Sequence, residues 1–215
     1  GFSADNSLGP SLARRLAASA AVSPVAGSTP SRWAVSSADS AYQAGVFESL
    51  AKGYCAPTWV AGISIGAINA ALVTGNPPAT RVARLREFWD LVTSGAPAPL
   101  VAPPWGARET LNESSASQAL LFGVPGFFKP RFPPAPFQPR GTLEAISYYD
   151  TSALQSTLER LVDFDRINAG PVRLSVGAVN VRTGNFAYFD SSRQRLDARH
   201  IMASGALPPG FAPVE

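Results

Sequence analysis

Residues 58–74 read TWVAGISIGAINAALVT, with one serine between two different patterns. Residues 58–63 are rich in β-branched and aromatic side chains, which predicts a strand. Residues 65–74 are rich in Ala, Ile and Leu and are followed by Gly75-Asn76-Pro77-Pro78, which predicts a helix that ends there. Ser64 therefore stands at a predicted strand-to-helix turn.

The turn has the pattern GISIG, with Gly62 and Gly66 two residues on either side of Ser64. Glycines at this spacing permit the tight backbone of a nucleophile elbow, which lifts the serine hydroxyl clear of the sheet. The free N–H groups of the following helix would stabilise negative charge beside it. We predict that Ser64 is a catalytic nucleophile. The structural alternative is that the glycines allow close helix–sheet packing and that Ser64 caps the helix.

The pattern of strands and helices continues on both sides of this turn. The remaining predicted strands are at 33–35, 172–179 and 186–189, and the remaining predicted helices lie within 41–51, 82–92 and 154–162. Strands that alternate with helices predict an α/β fold with a mostly parallel sheet and flanking helices. The turn at 182–185 adds an antiparallel pair.

The chain divides into three segments by composition. Residues 1–32 are rich in Ala, Ser, Gly and Pro and predict a flexible leader, whereas residues 33–215 predict one domain. Residues 97–139 carry ten of the twenty prolines together with several phenylalanines, and they predict an insert without periodic structure. Such an insert either covers a substrate or touches a membrane, or it packs as an irregular loop.

Composition and charge exclude several classes of protein. The chain is 46% hydrophobic and 15% charged, which excludes a disordered chain and a coiled coil. The sequence contains no uninterrupted run of about 18 apolar residues, so no membrane-spanning helix is predicted. The formal net charge is +3, but the arginines are scattered, so no nucleic-acid partner is predicted. The short clusters at Arg81, Arg84 and Arg86 and at Arg193, Arg195 and Arg199 are interpreted as solvated faces.

Cysteine and histidine content limits the available chemistry. The single Cys55 forms no intramolecular disulfide, so the fold needs no oxidising compartment. One histidine and one cysteine make no zinc site of ordinary ligand count, and we predict neither a metal nor another cofactor. The expected location is the cytoplasm, with peripheral association with a membrane left open.

The single histidine, His200, allows one arrangement for activating Ser64. Ser64 followed by Asp150 or Asp190 and then by His200 has the chain order of an α/β-hydrolase triad. Such enzymes usually place several strands before the nucleophile, and only one is predicted here. Asp150 and Asp190 are both followed by Ser or Thr, which indicates turn or cap residues. The triad and a structural role for His200 both remain open.

Three blocks in the chain resemble the bacterial branch of the patatin-like phospholipases. They are AYQAGV at 41–46, GISIGAINA at 62–70 and ASGALPPGF at 203–211. The resemblance implies a patatin-like α/β serine hydrolase fold, a lipid or ester substrate and a Ser-Asp dyad that needs no histidine. Ser64 matches the family nucleophile. No residue in the chain matches the family's Asp-Gly-Gly or Asp-Gly-Ala motif, so we expect the domain to be incomplete at its C-terminus.

The predicted oxyanion donors are the N–H of Ile65 and groups near Ser36, Ser37 and Ala38. The latter lie where the family has a glycine-rich loop, here VSSADS at 35–40. The main hypothesis is a serine-dependent lipid acyl hydrolase that forms an acyl-enzyme on Ser64. The alternatives are a catalytically impaired lipid-binding protein or a fragment of a longer enzyme, and an esterase with a triad that includes His200.

Overall fold

The computed structural model describes residues 23–24, 32–35, 45, 47–48, 57–95 and 119–215. Its strands are β1 (Ser23–Pro24), β2 (Arg32–Val35), β3 (Trp59–Ile63), β4 (Lys129–Pro130), β5 (Tyr149–Asp150), β6 (Arg173–Val179) and β7 (Phe186–Asp190). Its α-helices include α1 (Ile65–Thr74), α2 (Arg81–Thr93), α3 (Ser152–Leu161), α4 (Phe164–Ala169) and α5 (Ala198–Gly205). Short 3₁₀ helices occupy Ala135–Phe137 and Glu144–Ile146, and Gly45, Phe47 and Glu48 are helical.

Five strands form the main sheet in the order β1-β2-β3-β6-β7. The pairs β2–β3 and β3–β6 are parallel, whereas β1–β2 and β6–β7 are antiparallel. The described sheet is therefore mixed, and the predicted dominance of parallel pairing is not confirmed in it. The three parallel strands are its centre, and their carboxyl ends meet at one edge.

Helix α1 is the central helix of the core. Every residue from Gly66 to Thr74 is buried, because the helix is apolar on all sides. It packs against β3, β6, α2, α4 and α5. Helix α3 packs against α2 and α5, which closes the helical layer around it. The strand β3 and the helix α1 thus place Ser64, the residue between them, at the carboxyl edge of the sheet and next to the core.

The local predictions around this centre agree with the structure. Strands β2, β3, β6 and β7 and helices α1, α2 and α3 occupy the predicted positions to within about two residues. Of the predicted leader only Ser23–Pro24 and Arg32 are described, and they belong to β1 and β2. Residues 97–118 of the insert and most of the helix predicted within 41–51 lie outside the described residues.

The interpretation of the first arginine cluster is wrong at one position. Arg84 and Arg86 form surface ion pairs with Glu87 and Glu48. Arg81 is buried instead, and its Nε donates a hydrogen bond of 3.0 Å to the carbonyl of Asn76. The reason is its place at the start of α2, where the side chain folds back onto the preceding turn.

The second half of the insert packs against the C-terminal segment. Strand β4 pairs with β5, and the N–H groups of Tyr148 and Tyr149 donate to the carbonyls of Pro209 and Gly210. Four rings pack together there, with centroids 4.9 to 6.2 Å apart. This aromatic cluster consists of Phe127, Phe128, Tyr149 and Phe211.

None of the helices in the described ranges is long and apolar enough to cross a bilayer.

Candidate active site

Ser64 has a strained backbone. Its φ of 55° and ψ of −128° make it the one non-glycine residue with positive φ among those that the structure describes. Such conformations cost about 1–3 kcal/mol and persist only where the surrounding structure imposes them. Gly62 makes the turn sterically feasible, because a Cβ there would lie 2.2 Å from the carbonyl oxygen of Gly66. This close approach explains why a glycine stands two residues before Ser64.

Ser204 links the turn to the rest of the fold. The backbone N–H of Ser64 donates a hydrogen bond of 2.7 Å to the Oγ of Ser204, and the Ser204 hydroxyl donates to the carbonyl of Gly177. One side chain on α5 thereby joins the end of β3 to β6. Sequence reasoning assigned no role to Ser204, although the residue lies in the block ASGALPPGF.

The N-terminus of α1 leaves donors beside the Ser64 side chain. The N–H groups of Ala67 and Ile68 donate to the carbonyl of Ser64 over 2.8 and 3.4 Å. Ile65 is the first helical residue, and the first N–H groups of a helix have no partner within it. Within the described part of the chain, no hydrogen bond to the Ser64 hydroxyl is formed. The hydroxyl and the Ile65 N–H are thus adjacent and available to a ligand.

An apolar pocket opens beside Ser64. It encloses about 470 Å³, part of it open to solvent. Its walls come from α1, α3, α5, the second half of the insert and the C-terminal segment. The lining residues are Ser64, Ile65, Ile68, Phe127, Thr151, Leu154, Ile201, Met202, Gly205, Ala206, Phe211, Ala212 and Val214. A pocket with two hydroxyl-bearing residues, Ser64 and Thr151, in a wall that is otherwise aliphatic and aromatic suits a ligand that is largely hydrocarbon.

The expected second group of oxyanion donors lies outside the described residues. Ser36, Ser37 and Ala38 follow strand β2, whose last residue, Val35, pairs with Gly62. The backbone therefore brings Val35 to the carboxyl edge of the sheet, two residues short of the level of Ser64. The position of the three donors relative to Ser64 stays a prediction.

Asp150 lies next to the pocket but its carboxylate has other partners. It accepts a hydrogen bond of 2.9 Å from the N–H of Ser152 and faces the Lys129 ammonium at 3.5 Å. Burial alone would raise the pKa of Asp150, but the hydrogen bonds from Ser152 and the charges of Lys129 and Arg131 outweigh it and lower the pKa. The carboxylate stabilises the start of α3, as the sequence interpretation of a cap residue expects.

Asp190 lies at the opposite end of the sheet from Ser64. It pairs in register with Ser175, which pairs with Ala61, three residues before Ser64. Its buried carboxylate accepts hydrogen bonds from the side chains of Arg173, Ser175 and Ser192. Burial would raise the pKa of Asp190, but these bonds outweigh it and lower the pKa. The separation of about 10 Å along the strands excludes a hydrogen bond to Ser64.

The side chain of His200 is part of the N-terminal cap of α5. Its Nδ1 lies 2.8 Å from Oδ1 of Asp197 in a capping box, and its ring packs edge-on against Phe189 at 4.9 Å. The side chain is buried. Asp197 is therefore the acid next to His200, and neither Asp150 nor Asp190 takes that place.

In the described ranges no group of three or more His, Cys, Asp or Glu side chains is placed to hold a metal ion.

Comparisons with known proteins identify the family. No curated protein and no solved structure gave a significant match to the chain. The model of the family described as patatin-like phospholipase matches residues 37–215, which include the Ser64 turn and every pocket-lining residue. The chain therefore belongs to the patatin-like phospholipase family, which indicates an α/β fold, a lipid substrate and hydrolysis of acyl esters.

Proposed function

We propose that this protein hydrolyses lipid acyl esters through an acyl-enzyme on Ser64, with GISIG as its nucleophile elbow and a patatin-like serine hydrolase fold. The observation that carries the proposal is the strained Ser64, which lines an apolar pocket at the N-terminus of α1. A structural serine would gain nothing from a positive φ, whereas a nucleophile gains exposure to its substrate.

The chemistry follows from this placement. The Oγ of Ser64 attacks the ester carbonyl carbon, its proton passes to a base, and the carbonyl oxygen becomes an oxyanion. The N–H of Ile65 and the dipole of α1 stabilise this negative charge, and donors near Ser36, Ser37 and Ala38 complete the proposed oxyanion hole. The alcohol then leaves with a proton, and water hydrolyses the acyl-enzyme to the free acid and Ser64.

The base that accepts the serine proton is neither Asp150 nor Asp190 in this proposal. Asp150 bonds Ser152 and faces Lys129, and Asp190 lies at the far end of the sheet. His200 is held by Asp197. We infer that a different aspartate acts on Ser64, as in the Ser-Asp dyad that the family resemblance implies.

The pocket supports an acyl chain as the part of the substrate that is bound. Its wall is formed by side chains such as Ile68, Leu154 and Ile201, which offer apolar surface and no charge. Phe127 brings the insert to the pocket, which supports the interpretation of the insert as a substrate-covering element. The inferred substrate is a lipid ester, and contact with the membrane that contains it is part of the proposal.

The test is the substitution Ser64→Ala. We expect hydrolysis of p-nitrophenyl butyrate and labelling by a fluorophosphonate probe to fall about 10³-fold or more, because the nucleophile is lost. Ser156→Ala on the exposed face of α3 is the matched control and should keep both activities. Equal labelling of the wild type and Ser64→Ala would overturn the proposal. Binding of lipid vesicles without any hydrolysis would favour the impaired lipid-binding protein instead.

A further inference from the structure

Large apolar side chains are exposed on the described half of the insert and on the segments that pack against it. Phe132 is 93% exposed, Phe137 78% and Phe122 77%. We call this set the insert surface, and it comprises Leu120, Leu121, Phe122, Phe132, Phe137, Ile146, Tyr148 and Leu207. Monomeric proteins seldom expose so many large apolar groups together unless they bind something there.

Hydrogen bonds bring the segments that carry these residues next to one another. The Arg131 N–H donates to the carbonyl of Tyr148 at 3.0 Å, which places Phe132 beside Tyr148. The hydroxyl of Tyr149 donates to the carbonyl of Leu120 at 3.0 Å. The Tyr148 N–H donates to Pro209, two residues from Leu207. The 3₁₀ helices that carry Phe137 and Ile146 are in contact with each other.

The insert surface adjoins the pocket of Ser64. Phe127 and Phe211 belong both to the aromatic cluster and to the pocket wall. Tyr149 belongs to the same cluster. In the sequence it directly follows the exposed Tyr148 and stands two residues before Thr151, which lines the pocket. A partner that covers the insert surface would therefore lie next to the entrance of the pocket.

Charge on the insert surface selects the partner. Residues 119–150 contain the cations Lys129, Arg131 and Arg140 and the acids Glu144 and Asp150. Lys129 is exposed and faces Asp150 at 3.5 Å, and Arg131 donates to the hydroxyl of Ser147. Exposed aromatic and aliphatic side chains with interspersed cations are the composition of surfaces that insert into the headgroup region of a bilayer.

We propose that the insert surface docks on a phospholipid bilayer that contains anionic headgroups, with Phe132 and Phe137 entering the interfacial layer. The inference rests on the proposed function, since it gives the Ser64 pocket direct access to lipid. It adds the surface that binds and the headgroup charge that it prefers. Cationic side chains near the surface strengthen the attraction to anionic lipid within a Debye length.

Co-sedimentation with vesicles tests the docking separately from catalysis. The protein carries Ser64→Ala so that lipid is not consumed, and the vesicles are phosphatidylcholine with or without phosphatidylglycerol. We expect Phe132→Ser combined with Phe137→Ser to weaken binding about tenfold or more, since two apolar anchors are lost. Binding of the unsubstituted surface should be stronger with phosphatidylglycerol and should weaken with salt.

The matched control is Val181→Ser combined with Phe186→Ser. These side chains are 57% and 50% exposed in and beside the turn between β6 and β7, outside the insert surface. We expect this control to bind vesicles as the parent does. Equal loss in both double variants, or no vesicle binding by the parent, would overturn the proposal. A parent that dimerises and loses its dimer with Phe132→Ser and Phe137→Ser, without binding vesicles, would assign the surface to self-association instead.

Hydrolysis of a soluble ester separates this inference from the proposed function. With Ser64 intact, the Phe132 and Phe137 double variant should hydrolyse p-nitrophenyl butyrate at the rate of the wild type, because neither ring lines the pocket. Its hydrolysis of phosphatidylglycerol in vesicles should fall about tenfold with the lost docking. If the wild type binds vesicles but never hydrolyses the soluble ester, the docking stands and the proposed function fails.

Discussion

The two ends of strand β6 hold polar clusters of opposite character. At the amino end, Asp190 accepts bonds from Arg173, Ser175 and Ser192, and the Ser175 hydroxyl also accepts a bond of 2.8 Å from the indole of Trp59. At the carboxyl end, Ser204 bonds both Gly177 and the backbone of Ser64, while the Ser64 hydroxyl faces the pocket.

The two clusters differ in how far the polar side chains of the described residues are hydrogen-bonded to one another. In the amino-end cluster the polar side chains are hydrogen-bonded to one another, and the Arg173 guanidinium lies 4.5 Å from the centre of the Trp59 ring. These contacts hold the side chains in place and do not suggest a ligand site. The carboxyl end has the strained Ser64, whose hydroxyl has no hydrogen-bond partner among the described residues, and in the proposed function this turn and the first N–H groups of α1 serve the substrate. Both clusters contain serine beside glycine or aspartate, so residue type alone does not distinguish them.

Asp190→Ala gives the largest expected change in stability. We expect the free energy of unfolding to fall by about 3 kcal/mol, because Arg173 and two serines lose a buried partner. Asp165→Ala is the control, since its pair with Arg195 is exposed and worth at most about 1 kcal/mol. Urea unfolding measures both. If Asp190→Ala abolished ester hydrolysis while stability stayed unchanged, Asp190 would belong to the site and the comparison of the two ends would fail.

The same residue predicts a pH dependence of stability. The pKa of Asp190 is lower in the folded protein than the ordinary value of about 3.8 for an aspartate, so the unfolded chain binds its proton first as the pH falls. Its contribution is therefore present above about pH 4 and is lost as the pH falls through the folded pKa. Asp190→Asn should flatten this acid limb of a curve of unfolding free energy against pH. An unchanged acid limb would contradict the lowered pKa.

Ser204→Ala tests the carboxyl end with a smaller effect. The free energy of unfolding should fall by about 1–2 kcal/mol, because the Ser64 N–H loses its acceptor. We also expect kcat for p-nitrophenyl butyrate to fall about tenfold with little change in KM, because the turn is no longer fixed. Ser204→Thr keeps a hydroxyl and should restore kcat. A loss of stability with kcat unchanged in Ser204→Ala would reduce Ser204 to a structural link.

The sequence was sufficient for the local elements and for the position of Ser64. Strand β3 and helix α1 are predictable because their patterns are continuous and the glycines mark the turn between them. The six-residue α4 and the two-residue β4 and β5 are too short to show a period. The antiparallel pair β6–β7 was predicted from the turn at 182–185, whereas the antiparallel pair β1–β2 was missed for the same reason, since β1 has only two residues.

The contacts that define the site depend on the tertiary structure. Ser64 and Ser204 are 140 positions apart, and no pattern in either segment indicates that one accepts the bond of the other. The pocket joins side chains from three helices and two loops, so no single segment of the sequence indicates it. Asp190 was interpreted correctly as a turn residue, because its Oδ1 accepts from the N–H of Ser192, but its bonds to Arg173 and Ser175 come from a neighbouring strand.

His200→Ala is the smallest expected change and separates the dyad from the triad. The substitution removes the Nδ1 contact with Asp197 and the edge contact with Phe189, but Asp197 still accepts from the N–H groups of Arg199 and His200. We therefore expect a loss of about 1 kcal/mol in unfolding free energy and no change in the rate of ester hydrolysis. Thermal unfolding and kcat/KM for p-nitrophenyl butyrate measure the two effects. A fall in kcat/KM of about 10³-fold or more would identify His200 as the base that accepts the proton of Ser64, and would support the triad over the dyad.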